Sequence, residues 1–147
     1  MNGHAAWLSI TMLGVLAGCS ARTSSPPQTG SEGSATADTG AQADTGARIY
    51  NGTCIACHQQ DARGVPGVYP SLVGSPVVLG DPKELALWVI KGQRPPSMPA
   101  GRYPTAMLRF GWMKAEDAAM LFTYLRSSFG NTAPPVDARA VSRALGE

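Results

Sequence analysis

A chain of 147 residues has room for one modest domain and its appendages, and three cysteines are too few for a disulfide framework. A formal net charge of +2 leaves no electrostatic footprint for nucleic acid. The charge is uneven: residues 47–147 hold eleven Lys/Arg against seven Asp/Glu, whereas 19–46 hold one arginine against three acids.

Ala5 to Gly18 is nearly all apolar or small, with no charged side chain. It falls short of the roughly 20 apolar residues a bilayer span needs, but it suits the core of an export signal over residues 1–18. It ends in Leu16-Ala17-Gly18-Cys19, which resembles a bacterial lipobox. That resemblance implies cleavage before Cys19, lipidation of Cys19 and a periplasmic protein tethered to the membrane, with Ser20 favouring the outer membrane. The other reading is an ordinary cleaved signal in which Cys19 is incidental.

Residues 19–46 are built from Ser, Thr, Gly, Ala, Pro and Asp with little to bury, which predicts a flexible linker. Ala37-Asp38-Thr39-Gly40-Ala41 recurs as Ala43-Asp44-Thr45-Gly46-Ala47, which is low complexity and not a structural repeat. Such a coil spans roughly 30 Å and would let a domain over residues 47–147 swing on its tether.

Gly46, Tyr50 and Cys54 recur every four residues, on one face of a first helix. That helix leads into Cys54-Ile55-Ala56-Cys57-His58, the attachment signature of a c-type haem. Residues i and i+3 share a helical face, so both sulfurs reach the two vinyl groups of one porphyrin. His58 follows beneath the ring, where its imidazole can ligate iron. A zinc site would want four ligands, and beyond the motif the chain offers only Cys19 and His4. A thioredoxin-like dithiol would follow a strand in a βαβ pattern, and no alternating pattern is present.

Asp81-Pro82, with Glu84 three residues after the aspartate, opens a second helix. Leu85, Trp88 and Val89 share its apolar face and Gly92 closes it. A third helix spans about Lys114 to Ser128, with Ala118, Leu121, Phe122 and Leu125 as its stripe and Gly130 as its stop. Glu116 and Asp117 suit its N-terminal end. A short helix from Asp137 to Leu145 is expected in the tail that begins near residue 131. Between helices, Pro66, Pro70, Pro76, Pro95, Pro96, Pro99 and Pro104 forbid long regular elements. The fold class is all-α, with three main helices and proline-rich loops around one covalent haem.

The chain from Gly46 to Val136 resembles the monohaem class I cytochromes c, in particular the haem domains of membrane-bound alcohol and polyol dehydrogenase cytochrome subunits. The resemblance is carried by Tyr50, Cys54, Cys57, His58, Asp61, Gly64-Val65-Pro66-Gly67-Val68-Tyr69-Pro70, Leu72, Gly74 and Asp81-Pro82. It continues in Phe110-Gly111-Trp112 and in the run from Tyr124 to Asn131. It implies that the Pro70 carbonyl accepts a hydrogen bond from the ring nitrogen of His58 that faces away from iron. The family pattern Met-Pro-x-Phe-Gly-Trp stands here as Met107-Leu108-Arg109-Phe110-Gly111-Trp112, which implies Met107 as the sixth ligand. Met98, followed by Pro99, is the runner-up, while Met113 reads as core and Met120 as helix packing. Trp88 reads as core. Trp112 reads either as core or as a propionate partner, and Arg94, Arg102 and Arg109 as solvated charge, propionate partners or a rim to the haem edge. Tyr50 and Tyr124 are expected where the first and last main helices cross.

The resemblance implies a one-electron carrier, not an enzyme, with one covalent haem c. It would take electrons from an exported quinoprotein or flavin dehydrogenase and pass them towards the respiratory chain, to a terminal oxidase or another cytochrome. An open sixth site would instead make it a haem-based sensor or a peroxidase-like protein. A fixed relay subunit of an oxidase is the third reading.

Overall fold

The computed structural model describes residues 34–98 and 101–147, all within one compact unit, Ser31–Glu147. The export signal, Cys19, the first part of the linker and Pro99 lie outside the described residues.

The first helix, α1, is Ser34–Thr53, so the segment expected as linker is helical from Ser34 onward. Its anchor is at the C-terminal end. Gly46 and Tyr50 dock on a long helix, α5 (Ala115–Ser127), and once that turn is fixed each added residue gains one backbone hydrogen bond. The alanines upstream are good enough helix formers to carry the turn outward. At the crossing, a Cβ on Gly46 would collide with the Met120 carbonyl and lie 2.6 Å from Tyr124 Cβ. Only glycine lets the two backbones approach this closely.

The remaining elements are short. A single turn, α2 (Ile55–His58), follows α1 directly. A loop over residues 59–75 leads to α3 (Pro76–Leu79), one turn opened by Pro76 at its first position. Next comes α4 (Pro82–Ala86), capped by Asp81, whose carboxylate accepts the Lys83 N–H at 2.8 Å. The second helix was expected as a single α-helix to Gly92, but beyond Ala86 it widens into a π-helical turn, Leu87–Lys91. Gly92 ends it with φ 71°. The tail forms α6 (Ala138–Leu145), capped by Asp137 and packed on α5 and α4. No strand occurs among the described residues, only an isolated bridge between Val65 and Tyr69. The fold is all-α, as expected.

Tyr50, Leu121, Phe122, Val78 and Val141 are fully buried at the centre. Tyr50 and Tyr124 meet at the α1–α5 crossing with ring centroids 5.9 Å apart, and Phe129 closes the cluster at 5.3 and 5.5 Å. Two buried polar side chains bind the periphery together. Arg126 donates to the carbonyls of Pro134 (2.7 Å), Val78 (2.7 Å) and Gly80 (2.9 Å), tying α5 to α3 and to the tail. Asn131 does the same for the 59–75 loop. Among the described residues no helix is long and apolar enough to cross a membrane.

Candidate cofactor site

The break between α1 and α2 falls at Cys54, whose N–H still bonds the Tyr50 carbonyl at 2.8 Å. The Cys54 carbonyl in turn accepts from Cys57 N–H (3.2 Å) and His58 N–H (2.9 Å), so the five residues of the motif form one tight turn. Cys54 and Cys57 are both free thiols, the first buried and the second half-buried. Burial pushes the Cys54 thiol up, with the Thr53 hydroxyl acting in the opposite sense, so it stays protonated near neutral pH.

The His58 ring is buried, and its Nδ1 lies 3.0 Å from the Pro70 carbonyl oxygen. A carbonyl can only accept, so Nδ1 carries the proton and Nε2 holds a lone pair. Burial holds His58 below the usual imidazole range and keeps it neutral, the Pro70 hydrogen bond working weakly the other way. Among the described residues Nε2 has no hydrogen-bond partner, yet no fully buried side-chain nitrogen or oxygen lacks one. Nε2 is therefore not sealed in, and its lone pair is free for a ligand.

The loop that presents Pro70 is held closely. Gly64 (φ 67°) passes under it, where a Cβ would lie 2.5 Å from the Pro70 oxygen. The Gly64 N–H bonds the His58 carbonyl at 2.9 Å, and the Leu72 N–H bonds the Ala62 carbonyl at 2.8 Å. Gln59, directly after the histidine, has φ 64° and ψ 169°, a region suited to glycine. Its carbonyl accepts the Tyr50 hydroxyl at 2.6 Å.

Met98 and Met107 are both half-buried against the core. The Met98 N–H bonds the Pro95 carbonyl at 3.0 Å, and Ser97 next to it donates to Glu84 at 2.8 Å. The segment after Met107 is pinned to the π turn: Phe110 N–H bonds the Val89 carbonyl at 3.0 Å, and the Arg109 stem lies against Gly92. Met113 is buried, in keeping with a core role, and Met120 is half-buried. Trp88 is half-buried with the Arg94 guanidinium 5.9 Å over its ring. Trp112 is not core: it is 68% exposed, and Leu108 is 75% exposed. Trp112 stands edge-on to Phe110 and walls an open groove of about 300 Å³ with Ile49, Gly52, Thr53 and Met113.

This donor set fits a covalent haem. Two thiols on one turn are followed by a neutral imidazole whose inner nitrogen is occupied and whose outer nitrogen is open. Among the described residues no cluster of three His, Cys, Asp or Glu could hold a metal on its own. The sequence placed Arg126 and Asn131 in the run that carries the family resemblance without giving either a role, and it did not single out the strained Gln59. No periodic or spacing signal marks their roles, which lie in a backbone dihedral for Gln59 and in backbone carbonyls reached across the fold for Arg126 and Asn131.

The family model described as "Cytochrome c" matches residues 43–129. The "Alcohol dehydrogenase (quinone), cytochrome c subunit" of Gluconobacter oxydans (strain 621H) is 33% identical over 90 residues, covering 58% of this chain and 18% of that protein. Proteins of the same name from Gluconacetobacter polyoxogenes and Komagataeibacter europaeus are each 36% identical over 86 residues, covering 55% of this chain and 18% of theirs. The chain thus aligns with under a fifth of the length of each relative.

Proposed function

Because this chain belongs to the cytochrome c family, with one covalent haem c as its cofactor, we propose that it is a one-electron carrier whose iron is closed by His58 and Met107. When bound, the haem supplies a reversible one-electron couple at iron. The observation that carries the reading is the 3.0 Å contact of His58 Nδ1 with the Pro70 carbonyl, which holds the proton on Nδ1 and leaves the unprotonated Nε2 lone pair for the metal. Cys54 and Cys57 fix the macrocycle through their sulfurs. A Met107 thioether favours ferrous iron and raises the potential, and the Phe110–Val89 hydrogen bond supports its segment. With His58 and Met107 both holding the iron, no site would remain for a substrate.

The donor we propose is an exported quinoprotein or flavin dehydrogenase, with electrons leaving towards the respiratory chain. The relatives, named as cytochrome c subunits of a quinone-type alcohol dehydrogenase, support that choice. A periplasmic location with an anchor at lipidated Cys19 is proposed from the sequence pattern.

The test is the absorption spectrum of the reduced full-length protein with and without carbon monoxide. The spectrum is expected to ignore carbon monoxide, and the ferric form to show a methionine–iron charge-transfer band. Met107→Ala then admits carbon monoxide and loses that band, whereas Met98→Ala keeps both properties of the parent. Rapid and complete binding by the unaltered protein would replace electron transfer with sensing or catalysis.

A further inference from the structure

The segment 70–74 carries the carbonyl that orients His58, yet it belongs to no helix or strand. Its placement depends on where its backbone is tied. Asn131, 4% exposed and just beyond the end of α5, is one such tie. Its Oδ1 accepts the Gly74 N–H at 2.9 Å, and its Nδ2 donates to the Leu72 carbonyl at 3.2 Å and to the Leu125 carbonyl at 2.8 Å. The amide orientation is unambiguous, since the reverse assignment would set an oxygen against two carbonyls. One side chain thus satisfies three backbone groups, two part-buried on the Pro70 segment and one buried in the last turn of α5.

We propose that Asn131 is a positioning residue for the axial histidine: by fastening Leu72 and Gly74 to α5 it holds the Pro70 carbonyl on His58 Nδ1–H and so sets the donor strength of His58 towards iron. This rests on His58 being the iron ligand. The physical link is short. Pro70 is two residues from Leu72, and Gly64 beneath it blocks retreat on one side. A firm Nδ1–H···O=C bond raises the basicity of the opposite nitrogen, which favours ferric iron and lowers the midpoint potential. A slack bond does the reverse.

The experiment uses the full-length haem-loaded protein. It measures the midpoint potential and, by NMR of the reduced form, the solvent exchange of His58 Nδ1–H. Asn131→Leu keeps the volume and removes all three hydrogen bonds. It is expected to raise the midpoint potential and to speed that exchange at least about tenfold, the scale of one lost buried hydrogen bond. The control is Thr123→Val, which removes the buried bonds joining Thr123 to Val136 (3.0 and 3.4 Å) elsewhere on α5. It lowers the melting temperature and leaves both readouts in place. Unchanged exchange and potential in Asn131→Leu, or equal changes in Thr123→Val, overturn the proposal.

Should Asn131→Leu not fold, the unaltered protein carries the test. Gly74 N–H and His58 Nδ1–H must then exchange through one shared opening, easier than global unfolding. A His58 proton that stays protected while Gly74 opens overturns the proposal. If the NMR and optical spectra show His58 off the iron, the reading of the site falls with it. If His58 is on the iron and Asn131 moves neither readout, only the role of Asn131 falls.

Discussion

Gln59 holds a backbone conformation costly for any side chain, while that side chain is itself exposed. What keeps it there is its carbonyl, bonded by the buried Tyr50 hydroxyl. Gln59→Gly leaves that bond intact, removes the strain and is expected to stabilise the protein by about 1 kcal/mol in denaturant melts. Gly64 is the opposite case. Gly64→Ala forces a methyl onto the Pro70 carbonyl at an unfavourable φ, and should cost about 2 kcal/mol or more while weakening the grip on His58. The haem motif was legible in sequence because covalent attachment demands two residue types at one fixed spacing. The twelve-residue interval from His58 to Pro70 was legible only through family resemblance. Gln59 was not legible, and Asn131 was legible only as a member of the resembling run and not in its role, since their importance lies in a dihedral angle and in carbonyls up to 59 residues away.

At the level of elements, the α1–α5 crossing tolerates no side chain at Gly46. Gly46→Ala is expected to lower stability by about 2–3 kcal/mol in thermal melts, with α1 forced off α5. Arg126 presents a different kind of dependence: burial pulls its guanidinium below the usual range, and three carbonyls compensate. Arg126→Met fills much of the space but orphans those carbonyls, and should cost about 3 kcal/mol in the same melts. The apolar stripe of α5 and the cap of α4 were readable because period and capping chemistry are local. The start of α1 was not, because its residues lack an apolar face and become helical by extension from a packed end. The π turn was also hidden, since widening a helix by one residue per turn leaves its composition unchanged.

For the whole molecule, the exposed Leu108 and Trp112 sit within a stretch of unusual charge. Between Leu85 and Met113 the chain has Lys91, Arg94, Arg102 and Arg109 and no carboxylate. An exposed tryptophan is the kind of residue that anchors an interface. Trp112→Ser is expected to weaken the complex with the proposed dehydrogenase donor about tenfold or more, with no change in midpoint potential, as read by stopped-flow electron transfer. Raising the salt concentration should slow association with the donor in the unaltered protein. The crossing of α1 on α5 has one more consequence, for the order of events during synthesis. Its partners are separated by about seventy residues, so closing that loop must precede any reward from it. Until α5 has emerged, α1 has nothing to dock on, and Tyr50 cannot be covered. Cys54 and Cys57 therefore remain reachable in a nascent or unfolded chain until α5 has been made, and Cys54 is buried only once that crossing closes.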